Sequence, residues 1–139
     1  QAIVDAGETI DAPTNGVGEI GDLDLLHAAL AVPKWHENAP LAKALEPVLT
    51  RLAADYLFNR RGRGGRCLDP VAHFHLSNGA RMERLNWLGD VSANGLKQSA
   101  GMMINYLYKL SEIDQNHESY SAPSRKVVAS NAIKAAAKR

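Results

Sequence analysis

His73 and His75 stand two residues apart in the phrase Asp69-Pro-Val-Ala-His-Phe-His75-Leu-Ser-Asn-Gly79, and Tyr108 closes the phrase Gly101-Met-Met-Ile-Asn-Tyr-Leu-Tyr108. An imidazole can take or give a proton near neutral pH, so His75 is the leading candidate for acid–base work. The competing reading is a satisfied structural histidine beside apolar neighbours. His73 could orient His75 or bond locally. The phenol of Tyr108 can donate to a carbonyl or carboxylate, and ordinary packing with a capped hydroxyl stands beside that role. Between these phrases lies Arg84-Leu-Asn-Trp-Leu-Gly-Asp90, where Asn86 and Asp90 suit turn-shaping roles and Trp87 a core anchor.

Other chemistries find less support. His73 and His75 could share a metal on a strand, but no third ligand completes a pattern, and His27, His36 and His117 are dispersed; no metal site is expected. Cys67 is the single cysteine, which excludes an intrachain disulfide and a cysteine metal cluster, and nothing nearby marks it as a nucleophile. The Arg61-Gly-Arg-Gly-Gly-Arg66 run lacks the Gly-Lys-Ser/Thr ending of a phosphate-cradling loop. No Gly-x-Ser-x-Gly elbow is present, and Ser92, Ser99 and Ser111 have no signature of activation.

The elements that must position these groups follow from periodicity. Residues 1–20 are rich in Gly, Asp, Thr and Pro and read as an irregular acidic arm, which sets a boundary at about residue 21. A short helix is expected over Asp22–Ala31, stopped by Pro33, with Trp35 packing the connection. Leu41, Leu45, Val48, Leu49, Leu52 and Tyr56 mark one stripe of a second helix, with Pro40 in its first turn and a kink or restart expected at Pro47. Gly62, Gly64 and Gly65 then make the arginine-rich segment a flexible loop.

From Val71 the period reads as two, which predicts a strand with His73 and His75 on one side and Phe74 and Leu76 on the other. Asn78-Gly79 predicts a tight hairpin into a second strand over Arg81–Trp87, with His75 opposite Met82 and Leu76 opposite Arg81. In that strand Leu85 and Trp87 share one face, and Met82, Arg84 and Asn86 the other. Leu96, Ala100, Met103, Leu107 and Leu110 predict a helix carrying Asn105 and Tyr108 on its less apolar side. Residues 119–124 read as a loop, and Val127–Lys138 as helix-competent with Ser124 as its cap. The hairpin alone is a marginal sheet, so further strands are expected from a missing segment or another chain.

The chain has 139 residues, 45% of them hydrophobic, enough for one modest domain with a core and without an apolar run that could cross a membrane. It starts without Met, as a processed fragment would. Net charge is only +1 but unevenly placed. Asp5, Glu8, Asp11, Glu19, Asp22 and Asp24 face no basic residue in the first thirty, while Arg60, Arg61, Arg63 and Arg66 cluster, as do basic residues in the last fifteen. Aromatics are not interleaved with the arginines, so neither nucleic acid nor membrane is an expected partner; a phosphorylated cofactor or another acidic surface fits such patches at least as well, and a solvated loop and tail is the plainer reading, the better one for the tail.

The three phrases, in this order and spacing, resemble the C-terminal part of the malonyl-CoA decarboxylase catalytic domain. The likeness is densest from Asp69 to Tyr108, and Leu41–Phe58 resembles the helix before it. The resemblance implies an α/β (α+β) chain with part of the fold of the GCN5-related acetyltransferases, residues 22–139 forming the C-terminal portion of an acyl-CoA-binding catalytic domain. It implies conversion of malonyl-CoA to acetyl-CoA and carbon dioxide, with no metal or redox cofactor because the CoA thioester is itself the electron sink. The family histidine of the Phe-His-Leu phrase falls on His75, and the tyrosine of the Asn-Tyr-x-Tyr phrase on Tyr108. The family's catalytic serine belongs to a Ser-Pro-Ile-Pro-Gly-Phe phrase that this sequence lacks. The expected partners are malonyl-CoA, an upstream segment or chain of the same domain, and further copies in a homo-oligomer. The default compartment is a bacterial cytoplasm, with a trimmed mitochondrial protein as the other. An acyl-CoA transferase on the same scaffold and a nonenzymatic interaction fragment are the alternatives.

Overall fold

The structure, a computed structural model, describes residues 18–139, and their side chains from Leu23 onward. The irregular arm expected over residues 1–21 lies almost wholly outside the described residues. The chain divides after Leu49 into two compact units. In the first, helix α1 spans Gly18–Ala31, and Trp35 is buried in the short turn that follows. Asn38 opens helix α2 (Ala39–Ala54): its side-chain oxygen accepts from Leu41 N at 3.2 Å, with Pro40 in the first turn where no donor is needed. Leu41, Leu45 and Leu49 are its buried stripe, whereas Leu52 and Tyr56, expected to continue it, are exposed. Of the kink or restart expected at Pro47, the restart does not occur. The helix runs through it and widens later, into a π-type turn at Asp55–Asn59.

The second unit, from Thr50, holds the candidate residues. Asp55 is a junction there: its carboxylate accepts from Arg139 Nε and Asn59 Nδ2, both at 2.8 Å, and from Arg60 Nε at 3.2 Å. These partners, the Arg139 bond foremost, hold its carboxyl well below the usual carboxylate range. The arginine-rich segment is closed on itself by backbone bonds from Gly62 N to Arg66 O (2.7 Å) and from Leu68 N to Arg60 O (3.1 Å).

Two elements differ from expectation, and the differences rearrange everything around the histidines. The phrase from Pro70 to Ser77 is helix α3, not a strand. Asp69 is its N-cap, accepting from Ala72 N at 2.9 Å, and Pro70 sits at the first helical position. That Asp-Pro start is a helix signal, and it outweighs the apparent period of two in a short apolar run. Asn78-Gly79 is accordingly the exit from a helix, not a hairpin turn, and the expected pairing of His75 with Met82 does not exist. The strand partner is strand β2 (Met103–Leu107), in the region expected as a long helix. Helix α4 (Ala93–Ser99) stops because Ala100 and Gly101 take left-handed conformations, with φ of 52° and 81°.

Strand β1 (Arg81–Asn86) pairs antiparallel with β2, from Arg81 opposite Leu107 to Asn86 opposite Met103. An irregularity between Met82 and Arg84 shifts the phase, so Met82 and Leu85 both reach the core and the expected strict alternation is broken. The C-terminal segment adds an extended stretch to β1: Met82 N donates to Val128 O at 2.9 Å and Ser130 N to Met82 O at 2.8 Å. The pairing that seemed to need other polypeptide is therefore supplied in part by this chain. Helix α5 (Ile113–Tyr120) occupies the polar stretch, and helix α6 (Asn131–Ala136) is capped by Ser130, not Ser124. The architecture is thus mixed α+β: helices around a small two-stranded sheet. Its core joins Cys67, Ala72, Leu76, Met82, Tyr120, Val127, Ala129 and Ile133, with Leu85, Ile104 and Tyr106 packed against them.

Gly79 lets α5 approach the end of α3. Its φ is +89°, and a Cβ there would lie 2.5 Å from the carbonyl oxygen of Ile113 and 2.7 Å from its Cγ2. The Asn116 amide donates to the Gly79 carbonyl at 3.2 Å in this contact. Gly79→Ala combines a disfavoured φ with overpacking, and should destabilise the unit by about 2–4 kcal/mol. Urea unfolding with a lowered midpoint and an unchanged slope is the expected result; an unchanged midpoint would show that α5 does not pack on Gly79 in solution.

Candidate active site

On a helix, residues two apart lie about 200° apart around the axis, so α3 sends its histidines to opposite sides. His73 faces the core. Its Nδ1 lies 2.8 Å from the hydroxyl of Tyr120, which also accepts from the backbone N–H of Cys67 at 2.8 Å. The Tyr120 hydroxyl thus bonds both the Cys67 backbone and the His73 ring. Arg125 lies over the Tyr120 ring, 5.3 Å from its centroid. Burial, then the positive charges of Arg66 and Arg125, push the His73 pKa below 6.5. His73 is therefore tied into the packing between α3 and α5, and the expected shared face with His75 is not found.

His75 faces the sheet. Its Nδ1 lies 2.6 Å from the hydroxyl of Tyr108, just past the end of β2. Its ring stacks on Tyr106, centroids 4.2 Å apart and planes 22° from parallel, with Phe74 edge-on at 5.3 Å. The two residues singled out from sequence are thus brought together, from a helix and a strand end, although both elements differ from those expected. A phenol donating to Nδ1 leaves the proton of the neutral ring on Nε2. Nothing among the described residues hydrogen-bonds Nε2. The arrangement can present an N–H to a ligand and take the proton back.

The remaining candidates are structural. Asn86 donates to Asn105 across the exposed face of the sheet, so Asn105 is not beside Tyr108. Asp90 bonds Ser92, whose hydroxyl and backbone N–H hold its carboxyl below the usual range and fix the entry to α4. Cys67 is buried, which pushes its thiol up, and its sulfur meets Arg61 Nη1 at 3.3 Å. No three His, Cys, Asp or Glu side chains gather as metal ligands among the described residues. No helix among them is long and apolar enough to cross a membrane. Sequence reasoning missed Tyr106 and Tyr120. The spacing Ile113, Asn116, Tyr120 is a helical signal inside the polar stretch, and it would have flagged Tyr120 as inward-facing.

Comparisons with known proteins give the chain a family. The chain belongs to the malonyl-CoA decarboxylase family: the model of the malonyl-CoA decarboxylase C-terminal domain matches residues 10–139. It is 44% identical over 108 residues to the mitochondrial malonyl-CoA decarboxylase of Rattus norvegicus, covering 78% of this chain and 22% of that protein. Crystal structures of malonyl-CoA decarboxylases from Rhodopseudomonas palustris and Agrobacterium vitis each superpose with a TM-score of 0.78 at 42% identity. They cover 89% and 91% of this chain, and 28% and 31% of theirs. The chain therefore spans under a third of the relatives it matches.

The lowered pKa of His73 has a consequence for stability. At pH values where His73 is neutral in both folded and unfolded chains it favours neither. As pH falls below 6.5 the unfolded chain takes up a proton that the folded one refuses, so stability is lost until the folded pKa is reached. Unfolding free energy measured from pH 7.5 down to 5 should fall more steeply in the parent than in His73→Asn. Equal slopes would mean that His73 is not held neutral by the fold.

Proposed function

We propose that the protein converts malonyl-CoA to acetyl-CoA and carbon dioxide, with His75 as proton donor and Tyr108 orienting it and the malonyl head. The reading is carried by the 2.6 Å contact between His75 Nδ1 and the Tyr108 hydroxyl, which leaves Nε2 uncommitted. Family membership supplies the substrate class. Breaking the bond between the α-carbon and the carboxylate releases carbon dioxide and leaves an electron pair, delocalised as an enolate onto the thioester oxygen. Donors aimed at that oxygen lower the barrier. In its protonated form the imidazole delivers its Nε2 proton to the α-carbon, directly or relayed through the family serine, is left neutral with its remaining proton on Nδ1 toward Tyr108, and regains a proton from solvent. The exposed apolar side chains of Val71 and Phe74 beside His75 favour loss of a carboxylate by thinning its water shell.

On this reading the reaction needs no metal or redox group. The small sheet is part of a larger one of the GCN5-related acetyltransferase kind. The serine phrase and the bulk of the CoA site come from polypeptide outside these 139 residues, and the enzyme works as a homo-oligomer.

In the protein expressed from its complete reading frame, His75→Ala should lower kcat by about 10²- to 10⁴-fold with little change in unfolding midpoint. Tyr108→Phe should cost less, about tenfold, with part of the effect in KM. Parallel loss of activity and folded protein in His75→Ala would make His75 a packing residue. Unchanged kcat and KM in Tyr108→Phe would remove Tyr108 from the site.

A further inference from the structure

Tyr106 is the part of this arrangement that neither family phrase nor spacing assigns a task. It lies on β2 opposite Met82, whose side chain is fully buried, and its own ring is half-buried against the core. Its hydroxyl oxygen is buried and has no hydrogen-bond partner among the described residues. A phenol placed for its hydroxyl would have a partner, since leaving one unmet costs about 1–3 kcal/mol. What the position uses is the ring. Its face covers the face of His75 at 4.2 Å and 22°, whereas Tyr108 touches the same imidazole at its edge, 5.8 Å and 64°.

One hydrogen bond at the exposed Nδ1 edge limits rotation of the imidazole about its Cβ–Cγ bond only within the slack of that single contact. A flat surface against the face removes that freedom. We infer that Tyr106 is the positioning residue of the site: its ring fixes the plane of His75 while Tyr108 fixes its Nδ1 edge, and together they aim Nε2. The inference rests on the proposed role of His75 as proton donor. Misplacing a reacting group by about 1 Å can cost about a hundredfold in rate, which sets the scale of the effect.

The test uses Tyr106→Phe, Tyr106→Leu, His75→Ala and the double variant, each in the protein expressed from its complete reading frame. Tyr106→Phe keeps the flat face and should stay within about threefold of the parent in kcat. Tyr106→Leu keeps bulk without the face and should lose about 10- to 100-fold in kcat with KM unchanged. In the His75→Ala background the same Tyr106→Leu change should have no further effect, because it acts through the imidazole. Ring order at His75, read from the relaxation of its labelled Cδ2–H group, should fall in Tyr106→Leu and not in Tyr106→Phe.

Equal fold-losses in both backgrounds, or a His75 ring equally ordered without Tyr106, would overturn the inference. If ring order falls as expected but His75→Ala keeps full activity, Tyr106 is the clamp and it is the proton-donor reading that fails.

Discussion

The hydroxyl of Tyr120 is the buried polar junction on which this unit depends. It accepts from the backbone of Cys67 and bonds the ring of His73, so one oxygen ties the loop before α3, α3 itself and α5 together. Burying a backbone N–H and an imidazole is costly unless both are satisfied, and here each satisfies the other's partner. The Asp69 cap fixes where α3 begins, and His73 fixes its rotation. Once start and rotation are set, His75 has to emerge on the opposite side. The position of the candidate acid is thus settled by a contact on the far side of its own helix.

The far end of α3 is held with similar economy. Gly79 allows the backbone of α5 to come close, Asn116 bonds its carbonyl, and the His117 ring lies 2.6 Å from the Ser77 carbonyl through Nδ1. The sheet gains order from its other edge, where Ser130 binds both the Met82 carbonyl through its backbone and the Glu83 carbonyl through its hydroxyl. Of the elements of the site, α3 is therefore braced directly, and β2 through its pairing with β1, by segments that come later in the chain.

This explains what could be seen in the sequence. His75 and Tyr108 were legible as residue types within ordered phrases, because proton chemistry is a property of the side chain. Their elements were not. A run such as Val71–Leu76 is too short for periodicity to separate strand from helix, and the deciding signal was the single cap-and-proline pair at Asp69-Pro70. The long helix expected through Tyr108 failed at Ala100, a residue with no intrinsic preference for the left-handed conformation it adopts before Gly101. The phase shift in β1 was invisible for a different reason: an irregular pairing depends on the partner strand, which lies beyond α4. Tyr106 and Tyr120 were missed because a buried tyrosine announces itself through tertiary contacts.

The two histidine–tyrosine pairs of α3 show why similar contacts lead to different chemistry. Each puts a phenol within 2.8 Å of an Nδ1. Tyr120 is 1% exposed and its hydroxyl already meets the Cys67 backbone, so the imidazole it holds is fixed against the core and its pKa is pushed down, by burial first. Tyr108 is 42% exposed and its hydroxyl has His75 alone among the described residues. It keeps the capacity to accept a second bond, and can thus exchange between holding the imidazole and meeting a ligand. Burial and the number of commitments on the phenol, not the identity of the pair, separate a structural histidine from one available for proton transfer.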